Sequence, residues 1–383
     1  METKNLKPLS ASIVTNYKQM KKKICWLPGD GIGPIVTRQA QKVLNAIEER
    51  YDHQFSHCVS EIGASAIKKV GTSLPEFTTE SAQNADITFV GAVGDPAYDN
   101  DLSKRDTPDR GLLSLRKALN VQYNIRPVRT FPGLLHISPL KSRYIEQVDF
   151  SIYRELSSGI YFGDKGRTDT DSAYDVCTYR VSEIEAVAYP AFEAARTQKK
   201  SLTLVDRANV LETSRLWREV VHNIAQKYPD VTYRTQFIDH ALAELLMKPQ
   251  QYGIILTTNL FGDLMSDAVG VITGSVRLIP SISLGANTAL VEPIYSAYSK
   301  DIELNNVNPI AAILSVAMMM DYFKLPKEAR AVRSAVTNVL SKGVGTPDLN
   351  LRYTVNTADL GDYISAYLLE GRVDEAAVQR SII

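Results

Sequence analysis

The chain has 383 residues, with 43 Lys and Arg against 43 Asp and Glu, so its formal net charge is zero. That balance, with 44% hydrophobic and 22% charged residues, excludes a disordered chain and a nucleic-acid binder held by a basic excess. The length exceeds what one compact core usually fills, so two domains or one large α/β unit is expected.

Neutrality also means that a charged ligand must be gripped by a local cluster rather than drawn in by a long-range field. Cys25, Cys58 and Cys177 give neither a disulfide framework nor zinc spacing. The stretch 1–23 is polar with scattered Lys and lacks the apolar core of a signal peptide. The longest apolar run, 310–320, is broken by Ser315 and falls short of the ~20 residues that span a bilayer. A cytoplasmic protein with no membrane or nucleic-acid partner is the expectation.

Regular structure is expected to begin with Ile24-Cys25-Trp26-Leu27, which stops at Pro28. The turn Gly29-Asp30-Gly31-Ile32-Gly33-Pro34 follows, and then Val36, Ala40, Val43, Leu44 and Ile47 recur at helical spacing. The G-x-G-x-G spacing is neither the dinucleotide fingerprint nor a P-loop, so either a ligand approach or a tight strand-to-helix turn explains it. Further strands are predicted at 85–90, 201–205, 231–238 and 253–257, with helices at 182–196 and 212–227 and a mostly helical end over 309–340. Such alternation indicates an α/β protein with a largely parallel sheet. The stretch 163–175, rich in Gly, Asp, Thr and Ser, reads as a loop or a protruding hairpin.

Two constellations carry chemistry. In Asn259-Leu260-Phe261-Gly262-Asp263-Leu264-Met265-Ser266-Asp267, two carboxylates lie four apart just beyond a buried strand. On a helix they project from one face and repel unless a cation sits between them, and a divalent ion with hard oxygen ligands would serve. Asp263 as an N-cap beside a solvated Asp267 is the plainer alternative. A third carboxylate, Asp239, ends a predicted strand and could equally be an N-cap. The second constellation is basic: Arg116 in a helical turn, Arg126 in an extended segment and Arg154 in another strand-like stretch. Arginines in apolar surroundings usually meet carboxylate or phosphate, so three converging ones could hold a dicarboxylate; separate surface arginines are the alternative.

These residues reach a family. GDGIGP at 29–34, GLLSLRKAL with NIRP over 111–127, SGIYFG at 158–163, VDRANVLETSRLWREV at 205–220, the NLFGDLMSD segment and NPIAAILSVAMMM at 308–320 together resemble the metal-dependent β-decarboxylating dehydrogenases of the isocitrate/isopropylmalate group, over about 24–369. The resemblance implies an α/β, isopropylmalate dehydrogenase-like two-domain fold with a large shared mixed sheet, not a Rossmann fold. An N-terminal extension would cover 1–23, and a discontinuous nucleotide-binding domain 24–121 and 274–383. A central dimerisation and substrate domain would cover 122–273, with an arm near 159–178. A homodimer with shared active sites is implied.

The resemblance also implies roles. Arg116, Arg126 and Arg154 would bind a malate-type small-molecule substrate. Asp263, Asp267 and, from the other subunit, Asp239 would hold Mg²⁺ or Mn²⁺. Tyr161 would be the general acid, with Arg207 at the place of the proton acceptor. Leu112, Leu113 and Val210 would line an isopropyl pocket, where a third carboxylate would be left unpaired. Ile32, Asp109, Glu292, Lys300, Asp301 and Asn308 would meet NAD, with NADP not excluded. The implied reaction is oxidative decarboxylation of 3-isopropylmalate to 2-oxoisocaproate, a step of leucine biosynthesis.

The sequence departs from the family at particular residues. Arg207 stands for a Lys, and a guanidinium does not give up its proton at neutral pH. Tyr295-Ser296-Ala297-Tyr298-Ser299 stands where a His-Gly-Ser-Ala-Pro run is usual, and ungapped alignment puts Lys300 at the ribose-binding Asp, which Asp301 matches only after a one-residue slip. Ile35, Asp95 and Gly345 replace a Glu, a Gly and an Arg, and Asp109 replaces a Glu. A weak or inactive paralogue that binds a malate-like ligand or a protein partner, and a dehydrogenase for another 2-hydroxy diacid, are the other readings.

Overall fold

The computed structural model describes residues 20–99, 106–168, 171–298 and 303–370. Its strands of three or more residues are β1 (Lys21–Gly29), β2 (Gln54–Val59), β3 (Ile87–Ala92), β4 (Val121–Arg129), β5 (Asp149–Glu155), β6 (Lys165–Arg167), β7 (Ala173–Asp175), β8 (Leu202–Asp206), β9 (Tyr233–Phe237), β10 (Ile254–Thr257), β11 (Ile282–Gly285) and β12 (Ala289–Val291). All but β6 and β7 join one ten-stranded sheet, in the order β2-β1-β3-β12-β11-β4-β5-β10-β8-β9.

The wings of this sheet are parallel, but its centre is not. β12 with β11, β11 with β4, and β4 with β5 pair antiparallel. The sheet is therefore mixed, as the resemblance implied, with parallel pairs everywhere but at its centre. Parallel strands need helical crossovers, whereas the antiparallel centre lets two wound halves share one sheet without a linker. One core forms around Trp26, Phe89, Leu44 and Met319, and another on the far wing around Trp217, Phe192 and Leu204. In the helix Ile310–Tyr322 every residue from Ile310 to Met320 is buried, as its all-round apolar sequence requires.

β1 begins at Lys21, three residues before the expected start. The start of the strand is held there by Lys22 Nζ on Asp86 (2.7 Å) and by the Lys23 N–H on the same carboxylate (2.8 Å). Lys21–Lys23 thus belong to the sheet rather than to an extension. The stretch 163–175 holds a hairpin, β6 with β7. The helices Val181–Gln198 and Glu212–Ala225 lie where the periodicity put them. β2, β11 and β12 are additions to the expected strands.

The glycine turn packs against the chain's own backbone. A Cβ at Gly29 would lie 2.0 Å from the Ala92 carbonyl oxygen, and one at Gly31 (φ +51°) 2.0 Å from that of Ala297. The Asp30 carboxylate, buried in the turn, accepts from the N–H groups of Ala64 (2.9 Å), Ser65 (2.7 Å) and Gly94 (3.0 Å). The turn is thus a structural clasp between β1, β3 and the segment after β12. Gly31→Ala should lower stability by about 3 kcal/mol, from backbone strain and that close approach together. A shift of the urea midpoint measures it, and an unchanged midpoint would refute the clasp.

Candidate active site

Arg154 lies near the end of β5, with only 3% of its side chain exposed. Its Nε and Nη2 donate to Asn259 Oδ1 (3.2 and 2.8 Å), and its Nη1 donates to Asp263 Oδ1 (2.5 Å). Asn259 opens the helix Asn259–Thr273, whose N-cap is Thr258, so Asp263 sits inside the helix and is not a cap. Gly262 lets that helix cross over Arg154, since a Cβ there would lie 2.6 Å from Arg154 Cγ. The other Asp263 oxygen accepts from the Tyr161 hydroxyl (2.9 Å).

Arg126 projects from the neighbouring strand on the same face and donates to Asn124 Oδ1 (2.8 Å). Arg116, on the helix Pro108–Ala118, donates to Glu292 Oε2 (2.8 Å), while its buried Nε has no partner. The three guanidiniums feel one another. Burial first, then repulsion from Arg154, pushes Arg126 down to about 9, against the pull of Asp263. Burial lowers Arg154 as well, with Arg116 adding repulsion. Three cations thus face two carboxylates, Asp263 and Glu292, which leaves a place for an anion. Burial raises the Asp263 carboxyl, but Arg154, Arg126 and the Tyr161 hydroxyl outweigh it and hold it low. Burial and the Asp263 carboxylate raise Tyr161, so its phenol stays protonated at neutral pH.

The remaining expected residues divide into two places. Asp267 is exposed one turn beyond Asp263. Asp239 lies in the first turn of the helix Ile238–Met247, whose N-cap is Phe237, so it is not a cap either. Its carboxylate takes Arg207 Nη1 at 2.5 Å, and this bond leads in holding its pKa low. The turn carrying Arg207 is clamped by the fully buried Asp206, which receives Nε and Nη2 of Arg218 (2.9 and 2.7 Å) and the Ala208 N–H (3.0 Å). No group of three His, Cys, Asp or Glu able to hold a metal is assembled among the described residues of one chain. Leu112 packs beside the cluster of Leu115 and Leu119, Leu113 is half-buried, and Val210 is 62% exposed next to Arg207.

At the expected nucleotide end the described groups are occupied from within. The Ile32 N–H donates to Ala297 O (3.0 Å). Asn308 is fully buried, donating to Asp348 Oδ2 (3.2 Å) and accepting from the Ile310 N–H (3.0 Å), while its carbonyl takes the Tyr295 hydroxyl (2.8 Å). Asp109 is in the first turn of its helix, and Asp95 pairs with Lys68 (2.8 Å). Lys300 and Asp301 lie outside the described residues.

Two residues of this site had no assigned role in the sequence. Asn259 stood inside the quoted motif, and a polar residue opening a helix after a buried strand was the available signal. Glu155 follows Arg154 and is fully buried, accepting from Ser157 N–H (2.5 Å), Ser157 Oγ (2.6 Å) and Ser158 N–H (3.2 Å). Burial nevertheless pushes it up to about 7, against those three donors.

A mixed sheet of two wound halves, with arginines and helix-borne carboxylates meeting over its antiparallel centre, is the architecture of the β-decarboxylating dehydrogenases. Residues 23–364 match the isocitrate/isopropylmalate dehydrogenase family model. The chain is 41% identical to a 3-isopropylmalate dehydrogenase of Bacteroides fragilis, over 90% of this chain and 98% of that one. It is 42% identical to one of Thermotoga maritima, over 91% and 99%. Among solved structures, an isocitrate dehydrogenase from Methylococcus capsulatus superposes with a TM-score of 0.82 at 30% identity, covering 91% of this chain and all of that one. A β-decarboxylating dehydrogenase from Thermococcus kodakarensis gives 0.74 at 30% identity, over 91% and 96%. The chain belongs to the isocitrate/isopropylmalate dehydrogenase family. No helix among its described residues is long and apolar enough to cross a membrane.

Removing the Asn259 amide leaves two buried Arg154 donors unsatisfied, so Asn259→Ala should destabilise by about 1–3 kcal/mol in chemical denaturation. For Glu155 the folded value lies above the unfolded one. Its stabilising contribution is therefore full below the ordinary carboxylate range and is lost as pH rises through about 7. Glu155→Gln should lose less stability than the parent between about pH 5 and about pH 8; equal losses would contradict the assignment.

Proposed function

We propose that this chain is a cation-dependent dehydrogenase that converts 3-isopropylmalate to 2-oxoisocaproate and CO₂ with reduction of NAD, in leucine biosynthesis. The observation that carries the reading is the buried Arg126–Arg154 pair beside Arg116, set against Asp263 and Tyr161. Arg116, Arg126 and Arg154 hold the two carboxylates of the malate unit. Leu112 and Leu113 favour an apolar substituent over a third carboxylate, which would be desolvated there without a partner. NADP remains an alternative hydride acceptor.

Asp263 and Asp267 present hard oxygen donors from one helix face, a donor set that suits Mg²⁺ or Mn²⁺, and the partner subunit's Asp239 would complete it. When bound, the cation supplies Lewis acidity at the substrate hydroxyl and the nucleotide accepts the hydride. A homodimer fits the exposure of Val210 (62%), Met247 (55%) and Leu264 (49%), which lie in the turn and helices that carry Arg207, Asp239 and Asp263. Tyr161, protonated at neutral pH, delivers the proton to carbon once CO₂ has left.

Arg207 does not accept a proton, so the substrate hydroxyl proton leaves to a carboxylate or to water. The guanidinium instead fixes Asp239. Slow turnover is the expected consequence, and the Arg207–Asp239 pair is the observation that keeps a weakly active paralogue as the second reading. NADH formation from 3-isopropylmalate and Mg²⁺, followed spectrophotometrically, tests both. The dehydrogenase reading expects turnover that rises in Arg207→Lys and falls about 10²–10⁴-fold in Tyr161→Phe. No turnover by the parent or by Arg207→Lys, with either NAD or NADP and with Mn²⁺ still binding, would overturn the 3-isopropylmalate reading and leave a ligand-binding paralogue or a dehydrogenase for another 2-hydroxy diacid.

A further inference from the structure

The strands that carry the substrate arginines have a second face. In β4 and β5, Asn124, Arg126 and Arg154 point to one side of the sheet, so Ile125, Pro127, Arg129, Asp149, Ser151 and Tyr153 point to the other. That opposite face floors a cleft of about 610 Å³, closed by the segment 278–284 and by the helices Ile310–Tyr322 and Pro326–Ser341. Ile125, Phe131, Ile282, Leu284, Leu314 and Met318 give it a continuous apolar portion.

The rim is charged, and its charges do not balance. Arg129, Lys324, Arg330 and Arg333 line the cleft against Asp149 and Asp321. Arg129 pairs with Asp149 (3.0 Å), which also takes Lys200 (3.0 Å), and Arg333 pairs with Asp321. Lys324 and Arg330 make no ion pair among the described residues, and both are exposed at the mouth. An apolar hollow of this volume under two unpaired cations suits a ligand with an apolar body and one anionic head. Neutral apolar ligands leave the cations unanswered, and small polar anions leave the floor unfilled.

We propose that this cleft binds a small apolar monocarboxylate, with its chain on Ile282, Leu284 and Met318 and its head at Lys324 and Arg330. The site lies on the opposite face of the sheet from the substrate arginines and does not depend on the catalytic reading. Calorimetric titration of the full chain with octanoate, and with octan-1-ol as the uncharged control, tests it. The expected result is saturable octanoate binding, weakened about tenfold in Lys324→Glu/Arg330→Glu, with octan-1-ol no tighter than the weakened octanoate. Both substituted residues are exposed, and an unchanged thermal melt of the double variant establishes that it folds. Octanoate binding equal in parent and variant, octan-1-ol binding as tight as octanoate, or no saturable binding would each overturn the proposal.

Discussion

A guanidinium with 3% of its side chain exposed must have its donors met, and Arg154 shows what that demands of a fold. Its fork is shared between an amide and a carboxylate of one helix, and the helix passes close because Gly262 has no side chain. Asn259 extends the constraint. Its Nδ2 donates to Ser158 O (3.1 Å) and its N–H to the Tyr179 hydroxyl (3.1 Å), which ties the loop before Tyr161 to the same helix. One buried charge thereby fixes the relative placement of a strand, a helix and a loop. Those are the elements that carry the anion-binding and proton-donating groups.

The parallel wings were legible because their strands are short apolar runs between helical patterns. The centre was harder. β4 carries Asn124, Arg126 and Pro127, which break the apolar run, and β11 and β12 are short and separated by a three-residue turn. The three arginines and Asp263 were named from residue type and family motif, and they converge in space. Asn259 and Glu155 were not, because their importance comes from what is buried around them, and no local pattern shows that. The N-cap alternatives for Asp239 and Asp263 fail for a geometric reason, since each helix begins before the carboxylate is reached.

The wing that carries the glycine turn follows the same principle. Gly29 and Gly31 approach the backbone of Ala92 and Ala297, and the Tyr295 hydroxyl reaches the Asn308 carbonyl. Contacts that the sequence could assign equally to a ligand or to a tight turn are made by the protein to itself. The substitution of Tyr295 for a His therefore does more than change one side chain. It closes a loop segment onto the start of the buried helix Ile310–Tyr322, because the same hydroxyl also accepts from the Ala312 N–H (3.4 Å).

β4 and β5 present two faces with unrelated contents, arginines on one and an apolar floor on the other. Because the side-chain period is two, losing or gaining one residue inside either strand would exchange those contents. Buried guanidiniums would then face oil, and Ile125 and Tyr153 would face the anion site. An insertion or deletion inside 121–129 or 149–155 would therefore disrupt the anion site and the opposite cleft together. Register, more than the identity of any one apolar side chain, is what keeps the two faces distinct.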